Sequence, residues 1–174
     1  VYLDDVYVER DIEKAIQYIS EAANQGYFKA QHELALLLVK GKYVKQDIDK
    51  GIDYLFKAAK QNYFDSQLCL LQLYANGKYV EPDANKVNEI LNIVENSKSL
   101  KSLINFAYIC YERELKKNKL DRTIKFLEIA DELKYSNATV QLGLFYYKGE
   151  GVEKNYKKSY QYFLKSAKMK NSYG

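Results

Sequence analysis

The sequence predicts an all-α protein, an α–α superhelix (solenoid) of stacked helix-turn-helix repeats of 36 residues. The first observation is the tetrapeptide Gly-Lys-Tyr-Val, which occupies residues 41–44 and returns at 77–80. A related turn, Gly-Glu-Gly-Val, follows at 149–152, two periods further along. The second observation is that all 174 residues align in rows of 36 without an insertion or deletion. A fixed period of this length is typical of helical repeats, each of which buries its apolar face only against its neighbours.

Each row begins with a helix that we name helix A. Its predicted start carries a short polar residue in four rows: Asp11, Asp47, Asp83 and Asn155. The side-chain oxygen of such a residue can accept a hydrogen bond from the free N–H groups of the first turn. In the second row, Ile52, Leu55 and the alanine pair at 58–59 follow at helical spacing. Paired small residues indicate that two helix backbones come close there, because larger side chains would overpack the contact.

A second helix, helix B, completes each row. Gly26 and Asn62 follow helix A, and both residue types tolerate the left-handed backbone that ends a helix. Helix B of the second row covers residues 66–77 and stops at Gly77, another predicted left-handed cap. One helix B column is apolar in every complete row and is expected in the core: Leu34, Leu70, Phe106 and Leu142.

The third row, about residues 79–114, departs most from the pattern. Where other rows have the glycine-containing turn, residues 113–119 read Arg-Glu-Leu-Lys-Lys-Asn-Lys. The alanine pair is replaced in this row by Val94 and Glu95. We therefore expect a longer helix or a looser turn between the third and fourth rows.

These columns resemble the Sel-like repeat (SLR) family, a branch of the tetratricopeptide-like solenoids. The fourth row and the start of the fifth carry the family's small, leucine, glycine, aromatic and valine positions: Ala138, Leu142, Gly143, Tyr146, Gly149, Gly151 and Val152. Residues 11–26 match the second half of the family pattern nearly residue for residue. Tyr43 and Tyr79 depart from it, because they replace the second glycine of the turn. The resemblance covers the whole chain and implies a non-catalytic solenoid that binds other proteins.

We predict a single SLR solenoid over residues 1–174. It comprises the end of a preceding repeat (1–6), repeats at about 7–42, 43–78, 79–114 and 115–150, and a half repeat at 151–174. The chain starts and stops inside repeats, without the polar capping helices that solenoids usually carry. We therefore expect a fragment of a longer protein, whose ends pack on further repeats or on other subunits.

The residue types offer little for catalysis or for holding a metal or cofactor. The chain has one histidine, His32, and two cysteines, Cys69 and Cys110, without metal-ligand spacing. One histidine of this kind does not indicate a catalytic triad. The repeat columns favour core positions for His32 and Cys110 and a more exposed position for Cys69. We predict no enzymatic activity, no catalytic or metal-binding residues and no cofactor.

Charge is distributed unevenly along the chain. Residues 1–97 hold 11 basic and 15 acidic side chains, a net charge of −4, whereas residues 98–174 hold 16 and 8, a net charge of +8. Lysine clusters can bind nucleic acid. A solvated lysine-rich edge explains the same composition, so nucleic acid is a disfavoured partner.

The expected location is the cytoplasm, where unpaired cysteines stay reduced. The sequon Asn137-Ala138-Thr139 leaves the lumen of the secretory pathway as an alternative, because glycosylation requires that compartment. No apolar run approaches the roughly 18 residues that a membrane helix needs, so no membrane span is predicted.

A binding surface is expected on the concave side of the solenoid, which helix A lines in repeat proteins of this kind. Two helix A columns lie off the apolar stripe and vary from row to row, whereas the core columns do not. They supply nine predicted protein-binding residues: Gln17, Ser20, Asp53, Phe56, Glu89, Lys125, Glu128, Gln161 and Leu164. Neutral drift at solvent positions gives the same variability. Phe56 and Leu164 favour a binding role, because exposed large apolar side chains anchor interfaces.

The predicted function is therefore that of a non-catalytic scaffold or adaptor, which binds a partner protein through the concave helix A face. One alternative is a repeat module that regulates or tethers a catalytic domain outside these residues. Another is an RNA-binding helical-repeat protein, since such readers use helical repeats of similar length.

Overall fold

Every regular element in residues 12–114 and 120–171, which the computed structural model describes, is an α-helix. The chain runs through α1 (Ile12–Asn24), α2 (Phe28–Lys40), α3 (Ile48–Lys60), α4 (Phe64–Asn76) and α5 (Ala84–Asn96). It continues through α6 (Leu100–Glu114), α7 (Asp121–Glu132), α8 (Ser136–Lys148) and α9 (Tyr156–Asn171). Odd-numbered helices are the predicted A helices and even-numbered helices the predicted B helices. The B helices begin at residues 28, 64, 100 and 136, so their starts keep the 36-residue spacing.

The helices are distributed over two compact units, Val1–Ile93 and Val94–Gly174. In the first unit, α2 packs against α1 and α3, and α3 also packs against α4. In the second unit, α7 packs against α6 and α8, and α8 also packs against α9. Within each unit, these helices thus contact their neighbours in sequence, which is the local contact pattern of a repeat protein. The organisation as a single domain of numbered repeats stays a prediction.

The core is built from the predicted repeat columns. The leucine column is buried in every row, and both alanines at 58–59 are fully buried in α3. Gly51 brings α3 even closer to α2, because a Cβ on it would lie 2.7 Å from Val39 Cγ2 and 3.0 Å from the carbonyl oxygen of Ala35. Small residues on helix A therefore let it approach the helix B that precedes it.

Helix A starts where the polar caps predict. Asp47 accepts a hydrogen bond from the N–H of Lys50 at 3.0 Å. Asp83 caps α5 in the same way, accepting from the N–H groups of residues 85 and 86 at 2.8 and 3.1 Å. Asn155 accepts from the N–H of Lys158 at 2.9 Å. These three predicted caps are confirmed, and the fourth, Asp11, lies outside the described residues.

The corner after helix A has a left-handed backbone in each of the four rows that the structure describes there. The predicted residues Gly26 and Asn62 have φ values of 95° and 65°. Lys98 and Lys134 occupy the same column with φ values of 51° and 63°, although lysine has no preference for this region. The repeat geometry therefore persists where the favoured residue has been lost. Gly77 ends α4 with a φ of 69°, which confirms the predicted cap of helix B.

The degenerate junction after the third row is compensated by a side chain from another helix. α6 has 15 residues where the other B helices have 13, so the expected longer helix is confirmed; residues 115–119 lie outside the described part. At the end of α6, the Glu114 carboxylate accepts hydrogen bonds from the N–H groups of Arg122 and Thr123 at 3.2 and 3.1 Å. It also accepts from the Thr123 hydroxyl at 2.9 Å. Glu114 thereby takes over the capping role that an aspartate plays in other rows.

Replacing Glu114 by alanine is expected to destabilise the second unit by about 1–2 kcal/mol, because the first turn of α7 loses its cap. Urea unfolding measures the loss, and amide hydrogen exchange at Arg122 and Thr123 should accelerate. Glu112→Ala is the matched control, since Glu112 is exposed on the same helix. Equal exchange rates in the two variants would contradict the capping role.

Candidate functional site

The nine predicted binding residues lie on the five A helices, and none of them is buried. Six are exposed: Gln17, Asp53, Glu89, Lys125, Gln161 and Leu164. Three are half-buried: Ser20, Phe56 and Glu128. We call this set the A-face positions. Their participation in binding stays a prediction.

In the first unit, two A-face positions are tied together by a lysine. Phe56, expected from the sequence to be exposed, is half-buried. The ammonium of Lys86 lies 5.4 Å from the Phe56 ring centroid, within the range of a cation–π contact. The same ammonium forms an ion pair of 2.9 Å with Glu89. On α1, Gln17 donates a hydrogen bond of 2.9 Å to Glu21. These polar A-face side chains are therefore held in place by local contacts.

In the second unit, Lys125 is held by an acidic residue that replaces the second alanine of the pair. Lys125 Nζ lies 2.5 Å from a carboxylate oxygen of Glu95, and Arg122 pairs with the other oxygen of that carboxylate. The Glu95 side chain is only 9% exposed. One acidic side chain on α5 thus binds two basic side chains on α7. Lys125 consequently contributes to packing between successive A helices.

Two A-face positions, Gln161 and Leu164, line an open groove of about 580 Å³ between α7 and α9. We call it the A groove. Its other lining residues combine apolar, acidic and basic side chains: Asp131, Glu132, Lys134, Lys165, Lys168 and Met169. Leu164 is 42% exposed there. The structure therefore brings together the predicted residues of the fifth row at one surface depression.

The charge inside the A groove is partly neutralised. The Asp131 carboxylate accepts hydrogen bonds from the Thr139 hydroxyl at 2.6 Å and from Lys165 Nζ at 2.7 Å. The lining as a whole holds three lysines and two carboxylates, one of which is Glu132, and the apolar Leu164 lies among them. The arrangement suits an apolar group with a carboxylate next to it.

Two further grooves, which sequence reasoning missed, lie between B helices, and we call them the B grooves. One, of about 360 Å³, lies between α6 and α8 and includes Tyr108 and Leu144. The other, of about 180 Å³, lies between α2 and α4 and includes Leu36 and Gln72. These four residues form a single repeat column, which is apolar or aromatic in three of its four rows. This column, which is exposed or half-buried in each row, is the sequence feature that could have indicated the B grooves.

His32 is a buried residue of the first unit, as its repeat column predicts. Its Nδ1 lies 2.9 Å from the Ser66 hydroxyl oxygen, and its ring packs edge-on against Tyr63 with a centroid separation of 5.3 Å. Burial lowers the pKa of His32 below its ordinary value of 6.5. These contacts satisfy the imidazole and give it a structural role.

The two cysteines are free thiols, and their burial agrees with the sequence prediction. Cys110 is buried, which raises the pKa of its thiol to about 12. Cys69 is half-buried in the α2–α4 B groove, and burial raises its pKa as well.

Within residues 12–114 and 120–171, no group of three or more histidine, cysteine or acidic side chains could hold a metal ion. Among the helices of the same residues, none is long and apolar enough to cross a membrane.

The lowered pKa of His32 predicts a pH-dependent contribution to stability. The folded chain binds this proton less tightly than the unfolded chain. The free energy of unfolding therefore keeps its full value above about pH 6.5 and decreases as the pH falls below it. The double variant His32→Leu/Ser66→Ala carries residues that other rows have at these two positions. Its free energy of unfolding should decrease less between about pH 7.5 and 5 than that of the unaltered chain. Ser66→Ala alone retains the histidine and serves as the control. An unchanged pH dependence in the double variant would contradict this assignment.

The two thiols are expected to differ in reactivity, because the thiolate is the attacking species. With iodoacetamide at about pH 8, Cys69 should be alkylated in the folded chain before Cys110. Mass spectrometry of proteolytic peptides measures both rates, and both thiols should react rapidly in urea. Equal rates in the folded chain would show that Cys110 is not protected.

Comparison with known proteins gives the same architecture. A crystal structure of a Sel1 repeat protein from Oxalobacter formigenes is similar, with a TM-score of 0.61 and 23% identity, covering 90% of this chain and 45% of that one. The structure of c5321, a protective antigen of uropathogenic Escherichia coli with an SLR fold, has a TM-score of 0.53 and 22% identity, covering 91% and 34%. The chain thus spans less than half the length of either protein. The prediction of an all-α repeat solenoid is confirmed.

No curated protein sequence matches the chain. The Sel1 repeat model matches residues 1–27, 28–63, 66–86 and 136–171, and leaves 87–135, which contains the degenerate junction, without a match. Because the matched segments make up more than half of the chain, it belongs to the Sel1 repeat family.

Proposed function

We propose that this chain is a non-catalytic scaffold or adaptor that binds a partner protein through its helix A face. Sel1 repeat proteins are generally protein-interaction modules, and their fold is generally a non-catalytic repeat scaffold. The observation that carries the proposal is the A groove, because it places the exposed Leu164 beside Gln161 in a depression large enough for a side chain of a partner.

The A groove also supports a statement about the chemistry of the partner. Leu164 and Met169 offer apolar contact, and a methionine side chain adapts readily to different shapes. Three lysines against two carboxylates leave the lining with a small excess of positive charge, which favours a carboxylate nearby. The proposed ligand is therefore a protein segment in which a large apolar side chain stands next to an acidic one.

The other A-face positions would extend this contact along the helix A face. Phe56 can contribute less than Leu164, because it is half-buried under the Lys86 ammonium. Lys125 would act mainly by fixing α7 through its ion pair with Glu95. We assign the main anchoring role to Leu164.

The remaining functional alternatives stay predictions, because no feature of the described residues favours them. They are a module attached to a catalytic domain and an RNA-binding repeat protein. The cytoplasmic location is likewise a proposal, which the free thiols of Cys69 and Cys110 support. A glycan at Asn137, which is exposed in the first turn of α8, would instead indicate the secretory lumen.

Leu164→Asp is expected to reduce capture of the partner by roughly tenfold or more, because truncating an interface anchor costs at least about 2 kcal/mol. The chain is used as bait in native lysate, and each captured protein is quantified by mass spectrometry. Phe56→Asp should give a smaller reduction. Circular dichroism verifies that helicity is retained in each variant.

Tyr108→Asp is the matched control, since Tyr108 is 65% exposed on a B helix of the same unit. Proteins lost with Leu164→Asp and retained with Tyr108→Asp support the proposal. Equal capture by all variants would overturn it. Capture of RNA that weakens steeply with salt and ignores Leu164→Asp would favour the RNA alternative.

A further inference from the structure

The B groove between α6 and α8 belongs to the second unit and lies between the B helices of two complete rows. Its floor consists of buried side chains: Ala107, Thr123, Leu127 and Phe145. On the α6 side stand Tyr108, which is 65% exposed, and, one helical turn further on, the half-buried Tyr111. The groove is therefore framed by aromatic rings, and its volume of about 360 Å³ falls in the range of protein ligand sites.

The equivalent groove of the first unit shows that these rings are not a general property of the repeat. It lies between α2 and α4 and has half the volume, about 180 Å³. Aliphatic residues occupy the columns of the three rings there: Leu36 for Tyr108, Val39 for Tyr111 and Leu73 for Phe145. The α6–α8 groove is thus the larger of the two although its side chains are larger, so the rings frame the depression and do not fill it.

One wall of the α6–α8 groove is held in place by two contacts of Tyr111. Its ring stacks on the ring of Phe145, with a centroid separation of 6.1 Å and an angle of 20° between the planes. Its hydroxyl donates a hydrogen bond of 2.8 Å to the carboxylate of Glu150. The aromatic wall is therefore preformed, and the one carboxylate of the lining is already engaged.

The polar groups that this groove leaves open can all donate hydrogen bonds. They are the Tyr108 hydroxyl, the Gln141 amide and the Lys148 ammonium, none of which has a partner among the described residues. One lysine and one carboxylate in the lining leave it without net charge. The groove therefore favours an uncharged, apolar ligand that offers hydrogen-bond acceptors.

A proline-rich segment has these properties. Each proline contributes a carbonyl acceptor, no N–H donor and an uncharged apolar ring. Such segments adopt the polyproline II conformation, and aromatic grooves are recurrent sites for them. The groove extends from Ile104 to Tyr111 on α6 and from Gln141 to Lys148 on α8, about 10 Å on each helix. That length matches about three residues in the polyproline II conformation.

We propose that the B groove between α6 and α8 is a docking site for a proline-rich segment of a partner protein, bound in the polyproline II conformation. The rings of Tyr108 and Tyr111 contact the proline rings, and Gln141 and Lys148 donate to the backbone carbonyls. This site goes beyond the proposed function and does not rest on it, because the A groove is lined by a different set of residues.

The probe is a fluorescently labelled decaproline peptide, titrated with the 174-residue chain while the fluorescence anisotropy is recorded. Saturable binding is expected, with a Kd of about 0.1 mM, because only about three residues of the peptide enter the groove. A glycine-serine peptide of the same length should not bind, since it is flexible and has no proline rings. Equal binding of the two peptides would overturn the proposal.

Chain variants then locate the binding surface. Tyr108→Ala should weaken decaproline binding by about tenfold or more, because it removes an exposed ring of the groove. Tyr147→Ala is the matched control, since Tyr147 is 55% exposed on α8 and lies outside the lining. Gln141→Glu keeps the shape of the side chain but replaces a donor by an acceptor, so it should weaken binding as well. Circular dichroism verifies that each variant retains its helicity.

Equal binding by Tyr108→Ala and Tyr147→Ala would contradict the proposed surface, and unaltered binding by Gln141→Glu would contradict the proposed ligand. A decaglutamate peptide that binds more tightly than decaproline, and is lost with Tyr108→Ala, would identify an acidic ligand and also overturn the proposal. Leu164→Asp should bind decaproline like the unaltered chain. Capture that depends on Leu164 but not on Tyr108 would leave the proposed function standing whatever decaproline does.

Discussion

The close approach of helix A to the preceding helix B is the constraint on which the rest of the structure depends. At Gly51 the backbone of α3 comes so near to α2 that a Cβ would meet the carbonyl of Ala35. The alanines at 58–59, toward the end of α3, are also fully buried. Because interiors are close-packed, any larger residue on this line has to be accommodated by a neighbour. On α8, Gly143 provides the room that the large Phe163 ring requires.

Where the sequence departs from the repeat pattern, acidic side chains stand in for the missing alanine and for the missing helix cap. Glu95 and Asp131 stand in the column of Ala59; Glu95 binds two basic side chains of the next A helix, and Asp131 binds one. Glu114 caps α7 from the end of α6. Partly buried charges are costly unless they are paired, so these carboxylates specify particular partners. This pairing explains why the arrangement of helices is retained in residues 87–135, which the family model leaves unmatched.

The A helices therefore serve two purposes with different faces. One face, made mainly of small and apolar residues, forms the contacts between rows, and its residue types change little from row to row. The other face carries side chains that vary from row to row, and it includes Leu164 in the A groove. Because these two sets of residues lie on separate faces of the same helices, the variable face can change without disturbing the packing between rows.

Sequence by itself determined the helix order, the caps at Asp47, Asp83 and Asn155, and the core columns. Such features depend on local hydrogen bonding and on a 36-residue period, both of which are readable along the chain. Only the tertiary structure decided that Lys86 covers Phe56, that Lys125 pairs with Glu95 and that Leu164 lies in a groove. Those partners stand about 30 residues apart and do not recur from row to row. A contact that is neither local nor periodic leaves no pattern in one sequence, because it is fixed by which side chains meet when the rows pack.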